Sequence, residues 1–346
     1  AASVTATGIY AGGLVGFQTS AGTISNSSAS GAVIGTQFAG GLVGRNVHGS
    51  IIAGSATGSV QGSDFVGGLV GWQDSASTLT GGSATGAVTG TGNYVGGLLG
   101  YGSGTISNVS ATGGSTVSGG SFVGGLIGSF GGGTVTGAES SRIVSGTQSV
   151  GGLVGRLEAG TISRSRATGA VSGGSVIGGL IGEFNGGALD QSYASGAVMG
   201  TGSYIGGLVG ILGAGTITNA YATGAVSGGD LVGGLIGYHS GGTVSQAYAT
   251  GAVTGTNRGG LTGFQTGGSL TSAVWDSQTT GLLAGRGGST SGTFGASGLT
   301  TNQLQDFASY TTTYAGWNFS TIWAPPNQAG QNGSPTAKYP LLINRP

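Results

Sequence analysis

Cysteine is absent from this 346-residue chain, so neither a disulfide nor a thiolate metal site contributes to its stability. Charge is nearly as scarce. Nine Lys and Arg face nine Asp and Glu, which is 5% of residues where about 25% is usual. Such a surface has no clustered cations for a polyanion, which excludes a nucleic-acid partner. The charge excess of a disordered tail is missing too. No apolar run approaches the roughly 18 residues of a membrane span. All five prolines lie beyond residue 270. The chain starts Ala1-Ala2-Ser3, with no initiator Met, leader or C-terminal anchor, and reads as a piece of a larger parent with further domains.

What is abundant is glycine, with 84 copies against a usual share of about 7%. It lacks the every-third-residue period of collagen. The pentad Gly-Gly-Leu-(Val/Leu/Ile/Thr)-Gly occurs ten times, with leucines at 14, 42, 69, 98, 126, 153, 180, 208, 235 and 261. Successive spacings are 28, 27, 29, 28, 27, 27, 28, 27 and 26 residues. Each unit holds three short stretches rich in Val, Ile and Thr between glycine corners, which is strand chemistry and not helix chemistry. A period of 27–28 residues fits one coil of three strands and three turns. The expectation is an all-β, right-handed parallel β-solenoid of about ten coils, with the pentad leucines inside. Propeller repeats of about 40–50 residues are too long.

Aligned units stack further columns. Four residues before the leucine stand Tyr10, Phe38, Phe65, Tyr94, Phe122 and Tyr204, an apolar row expected to be buried. Three residues after it stand Phe17, Trp72, Tyr101, Tyr238 and Phe264, interrupted by Arg45, Arg156 and Glu183. Mixed chemistry puts this second row outside, as a candidate ligand face on which sugar rings stack. The plainer reading is that it covers the rod's own backbone. Arg156 and Glu183, one coil apart, are expected to form a surface ion pair worth under about 1 kcal/mol.

Another row is Thr-Ile-Ser-like. Its hydroxyl pairs are Thr23 with Ser25, Thr78 with Thr80, Thr105 with Ser107, Thr134 with Thr136, Thr161 with Ser163, Thr216 with Thr218, Thr243 with Ser245, and Ser269 with Thr271. Strand alternation turns the central apolar residue inward and both hydroxyls outward. This flat double row resembles the ice-binding face of β-helical antifreeze proteins. Thr also simply favours strands, and the row breaks at Ser50-Ile51-Ile52 and Ala188-Leu189-Asp190. Asn26, Asn108, Gln191, Asn219 and Gln246 follow the same strand at a corner, where such side chains satisfy turn backbone.

The pentad at this period, clearest in residues 94–119 and 204–228, resembles the GLUG motif. So does the closing run Ala273-Val274-Trp275-Asp276-Ser277-Gln278-Thr279-Thr280-Gly281, with later echoes at Gly298–Leu304, Gly316–Ser320 and Tyr339–Leu341. The resemblance covers about residues 8–265. It implies a region of large bacterial surface or secreted proteins of the filamentous-haemagglutinin-like adhesin type, hence an extracellular or cell-surface location. No secretion or anchoring domain accompanies it.

Beyond the last pentad the period fades. Residues 1–269 are read as the repeat solenoid and 270–346 as a capping segment, with a loop over 282–297 and a short helix opening at Thr300. Chemistry is sparse. The acids mostly occupy different columns and are spread thinly over the coils, and His48 and His239 lie far apart. No nucleophile–base pair, phosphate loop or calcium repeat is present. The expectation is therefore a non-catalytic rod with no cofactor and no metal, acting as an adhesin or matrix scaffold. Its candidate partners are a glycan or protein surface, with ice binding through the Ser/Thr ladder as the alternative.

Overall fold

The computed structural model describes residues 2–327 and 338–343. The chain winds into a parallel β-solenoid of about 11 turns. One coil shows the plan: strands Val70–Gln73, Thr78–Thr80, Ser83–Ala84, Val88–Gly90 and Val95–Gly96. The first three join a 26-stranded sheet and the last two an 18-stranded one. Five short segments therefore replace the three strands expected from the sequence, because the glycine corners cut the apolar stretches further. Coils pair residue for like residue. Leu79, for instance, aligns with Ile51 below and Ile106 above.

The interior is two dry columns and not one. The larger holds the pentad leucines, the Ile of the Thr-Ile-Ser strand and the alanines after it. The smaller is a file of valines and isoleucines from Val33 to Val253. Between the columns the pentad runs backbone to backbone against the aromatic-Val-Gly strand. A β-carbon on Gly71 would lie 2.8 Å from the Phe65 carbonyl oxygen, closer than any side chain tolerates. Nine pentad leucines, from Leu42 to Leu261, are fully buried, each stabilising the stack by about 1.5–3 kcal/mol. Leu14, in the first coil with a neighbour on one side only, is 53% exposed.

The ten coils that carry the pentad each turn once through a left-handed residue after the Thr-Ile-Ser strand, from Asn26 to Ser272. Asn26, Asn108 and Asn219 sit there at φ 47°, 52° and 50°, and Gly81 fills the same position at 65°. Asn and Gly enter that region most easily, which accounts for Asn26, Gly81, Asn108, Gly137 and Asn219, while Ala53, Arg164, Gln191, Gln246 and Ser272 hold the same turn without that preference.

The solenoid does not stop at residue 269. Arg286–Ser289 and Thr293–Leu299 pair in parallel with Thr262–Gln265 and Ser269–Asp276. Part of the expected loop is thus a further coil, in which Phe294 and Ala296 continue the columns of Leu270 and Ala273. Trp275 takes the interior position that Ala194, Ala222 and Ala249 hold in earlier coils. Its indole N–H donates to the Leu282 carbonyl at 2.9 Å.

The tail begins with α1 (Thr301–Leu304), capped as anticipated by Thr300 with Gln303 completing a capping box. Then come α2 (Tyr310–Thr313) and an antiparallel pair, Trp323–Ala324 with Leu341–Leu342. The described tail packs against the side of the rod. It lies along the flank, where Trp317, Trp323 and Tyr339 pack on a stack of Tyr193, Tyr221 and Tyr248. Residues 328–337 and 344–346 of the presumed cap fall outside the described residues. Among the described residues no helix is long and apolar enough to cross a membrane.

Candidate functional site

Three surfaces hold the candidate residues. The first is the aromatic corner. Tyr10, Phe38, Phe65, Tyr94 and Phe122 form a continuous stack with centroids 4.8–5.4 Å apart, the strand-to-strand spacing. The second row interleaves with it: Phe17 stacks on Tyr10 at 4.7 Å, and Tyr101 sets its edge against Phe65 and Tyr94. Both rows are half-buried, with only Phe17 in the first coil more open, so the expected contrast of a buried and an exposed row is not present. Phe65, Tyr94, Phe122 and Tyr204 carry φ of 53–68°, a strain of about 1–2 kcal/mol each that Ser149, Val176 and Leu231 bear at the same position without a ring.

Arg45 completes this corner. Its guanidinium lies 4.6 Å from the Trp72 ring and 5.2 Å from that of Phe17, and donates to the Tyr10 hydroxyl at 3.1 Å. Trp72 stacks on Tyr101 at 6.2 Å and Tyr238 on Phe264 at 6.5 Å. These rings turn their faces along the rod to one another and their edges to solvent. A sugar needs a free face. The Arg156–Glu183 ion pair does not form although the two residues are aligned. Arg156 turns to Glu158 at 3.7 Å and over Phe122 at 5.2 Å, while Glu183 accepts from Ser149 and Asn185. Burial, then the nearby Glu158 carboxylate, push the Tyr101 hydroxyl above its ordinary pKa.

The second surface is the Ser/Thr ladder. Its central residues are buried from Ile51 to Leu270, and its hydroxyls point outward in register. Several bond lengthwise: Thr78 to Ser50 at 3.0 Å, and Thr80 to Ser107 and Thr136 to Ser163 at 3.2 Å. The two ends of the ladder differ. In the first coil Thr23 and Ser25 are exposed, and Ser25 lies against Ile52, so no hydroxyl continues its column into the next coil. Ser25 is thereby cut off from the row expected of it, and its backbone carbonyl accepts from the Ser27 hydroxyl at 2.8 Å. Near the other end, Ser245 is half-buried and sits in register between Thr218 and Thr271. At the break, Asp190 accepts from Thr218 and Asn219, both at 2.8 Å. The double row therefore runs unbroken over four coils, from Thr78 to Ser163, and over three, from Thr216 through Thr243 and Ser245 to Thr271.

The third surface, the tail-covered flank, was not singled out by sequence reasoning. One column reads Ser28, Ser55, Ser83, Ser110, Glu139, Arg166, Tyr193, Tyr221, Tyr248. It changes from serine to tyrosine where the tail lies, with an Arg166–Glu139 ion pair of 2.8 Å at the junction. That change was the available signal. Trp323 donates to the Asn219 amide oxygen at 3.0 Å, and Tyr248 to the Pro340 carbonyl at 2.8 Å. Asp276, fully buried, is the polar anchor. It accepts from the hydroxyls of Thr301 and Tyr339, both at 2.7 Å, and from the backbone N–H groups of Gln278 and Thr279. Burial pushes its carboxyl up, but these donors outweigh that and hold it below the usual range. Burial raises the Tyr314 phenol beside it.

Two buried ionisable groups serve the interior. Arg142 donates to the carbonyls of Thr85 and Ala84, both at 2.9 Å, and burial lowers its pKa to about 10. His239 is wholly enclosed, and burial lowers its pKa as well. The other histidine, His48, lies on the surface 3.6 Å from Asp74.

With this geometry in place, comparison with known proteins is specific on one point. The family model described as the GLUG motif matches residues 7–34, 146–172, 201–227 and 228–254, each close to one coil in length. No curated protein and no solved structure matches the chain. Four repeat positions thus match a GLUG-repeat region, on coils that stack like residue on like.

Proposed function

We propose that this chain is a non-catalytic scaffold segment of an extracellular adhesin or matrix protein, a stiff rod that holds binding surfaces away from a cell. The GLUG repeats and the β-solenoid fit a rigid repeat scaffold of a surface protein. The observation that carries the reading is the stacking of like residues from coil to coil, shifted only after Gly102 and after Thr271, over two apolar buried columns. Such a stack resists bending, because each coil is bonded to its neighbours along its whole path.

The Ser/Thr ladder belongs to this scaffold as its polar outer face. Its lengthwise hydroxyl bonds turn donors toward the rod, and Ile52, Ala188 and Asp190 interrupt it. No thermal hysteresis or recrystallisation inhibition is expected at micromolar protein, and either activity would restore the ice-binding alternative. The scaffold reading is tested by coating beads with the chain and measuring retention on cell layers and matrix proteins under flow. Retention no better than on albumin-coated beads would sink it.

A further inference from the structure

Between the outer side of the last two coils and the tail lies a half-open cleft of about 500 Å³. Its rod wall carries Ser272, Val274 and Ser297, and its tail wall Gln303, Thr312 and Trp317. The corner row that seats the tail explains its place. Asn219 and Gln246 each bond the tail, to Trp323 and to the Gly316 carbonyl. At the next coil Ser272 offers only its backbone oxygen, to the Trp317 indole at 3.1 Å. The tail stands off here. The side-chain hydroxyls of Ser272, Ser297 and Thr312 stand exposed on its walls.

We infer that this cleft binds one uncharged pyranose unit of a glycan. No Asp, Glu, Lys, Arg or His lines it, so a charged ligand would lose water and meet no counter-charge. A purely apolar ligand would strip water from the three hydroxyls and give them no replacement partner. A pyranose has both kinds of chemistry: C–H groups for the narrow apolar edges that Val274 and Trp317 leave at the cleft, 6% and 8% exposed, and a ring of hydroxyls for the serines, Thr312 and the Gln303 side-chain N–H groups. The volume lies within the range of small-molecule sites, about 300–1,000 Å³. The open side leaves room for the glycan to continue.

The inference adds a ligand class to the scaffold reading and stands without it. The test is binding of the whole chain to an array of neutral, sialylated and sulfated glycans, with three variants. Gly295→Trp fills the cleft from the rod side. A β-carbon there would meet Thr271 at an ordinary 3.6 Å, so the coil accepts a side chain. Thr312→Trp fills it from the tail side. Gly114→Trp, where a β-carbon meets nothing within 4 Å, is the matched control outside the cleft. Neutral glycans should bind, the two filling variants should lose about ten-fold or more of the signal at unchanged melting temperature, and the control should bind like the parent. A silent array, binding confined to charged glycans, or undiminished binding by both filling variants overturns the inference. Bead retention with a silent array removes the inference alone. Array binding without retention removes the adhesive scaffold reading alone.

Discussion

The two halves of one flank differ although the backbone beneath them is the same. Over the first four coils the corner column is Ser28, Ser55, Ser83 and Ser110, and nothing described lies on it. Over coils seven to nine the column is Tyr193, Tyr221 and Tyr248, rings 4.7–4.9 Å apart, with the tail's tryptophans laid over them. A periodic backbone thus supplies identical seats, and side chains decide which seat is taken. The repeat makes the rod, and departures from the repeat make its local chemistry.

This comparison is breakable, most strongly from the tail side. Trp323→Ala removes a fully buried indole and its bond to Asn219, and should weaken tail docking by about 3–5 kcal/mol. Amide exchange should then rise in residues 301–327 while coils one to five keep their protection. Equal loss of protection in both regions would show that the tail holds up the rod and is not merely seated on it. Tyr221→Ser converts a covered seat into a bare one. It loses two ring stacks and the burial of the phenol, about 2–4 kcal/mol, read as tail cleavage by a protease at concentrations that spare the parent.

Next in size is the anchor. Asp276→Asn leaves hydroxyl donors without a carboxylate, at a cost of roughly 1–3 kcal/mol. Because the folded carboxyl titrates below its unfolded value of about 3.9, its contribution is complete above that value. It fades as the pH falls through the lower folded pKa. Tryptophan emission of the parent should shift as acid releases the tail, and the Asn variant should already be shifted at neutral pH with no acid step assigned to this group. The smallest effect is expected at Ser83→Tyr, which places a ring on a bare seat with no tail above it. Stability should move by less than about 0.5 kcal/mol, measured by urea unfolding. A larger gain would mean that tyrosine stabilises this corner by itself.

Much of this was legible in the sequence because a solenoid makes like residues meet. Leu42 through Leu261 declared the interior, and the Thr-Ile-Ser alternation declared which hydroxyls face out. Three things were hidden. The ring orientation of Trp72 and Tyr101 depends on side-chain torsions, which spacing does not encode. The extra coil at Arg286–Leu299 lacks the pentad, since Gly285 and Arg286 stand where earlier coils carry their Leu and the residue after it. The tail's seat was written in the change from Ser110 to Tyr221, but that change is visible only once the column is compared with itself coil by coil. Asp276 was quoted within the closing run, yet two of its four donors, Thr301 and Tyr339, come from segments that only the fold brings together.

The matched register has a consequence for length. Gly146 sits directly over Gly173 in the stack, so joining residue 145 to residue 173 would restore every column with one coil fewer. The molecule would become shorter by about 4.8 Å and keep its cross-section. Since Tyr193 to Asp276 lie beyond that cut, the tail would not register the loss. The same excision between Tyr193 and Asp276 would take away a seat. The rod is therefore a ruler whose first half is freely divisible and whose second half is fixed by what rests upon it.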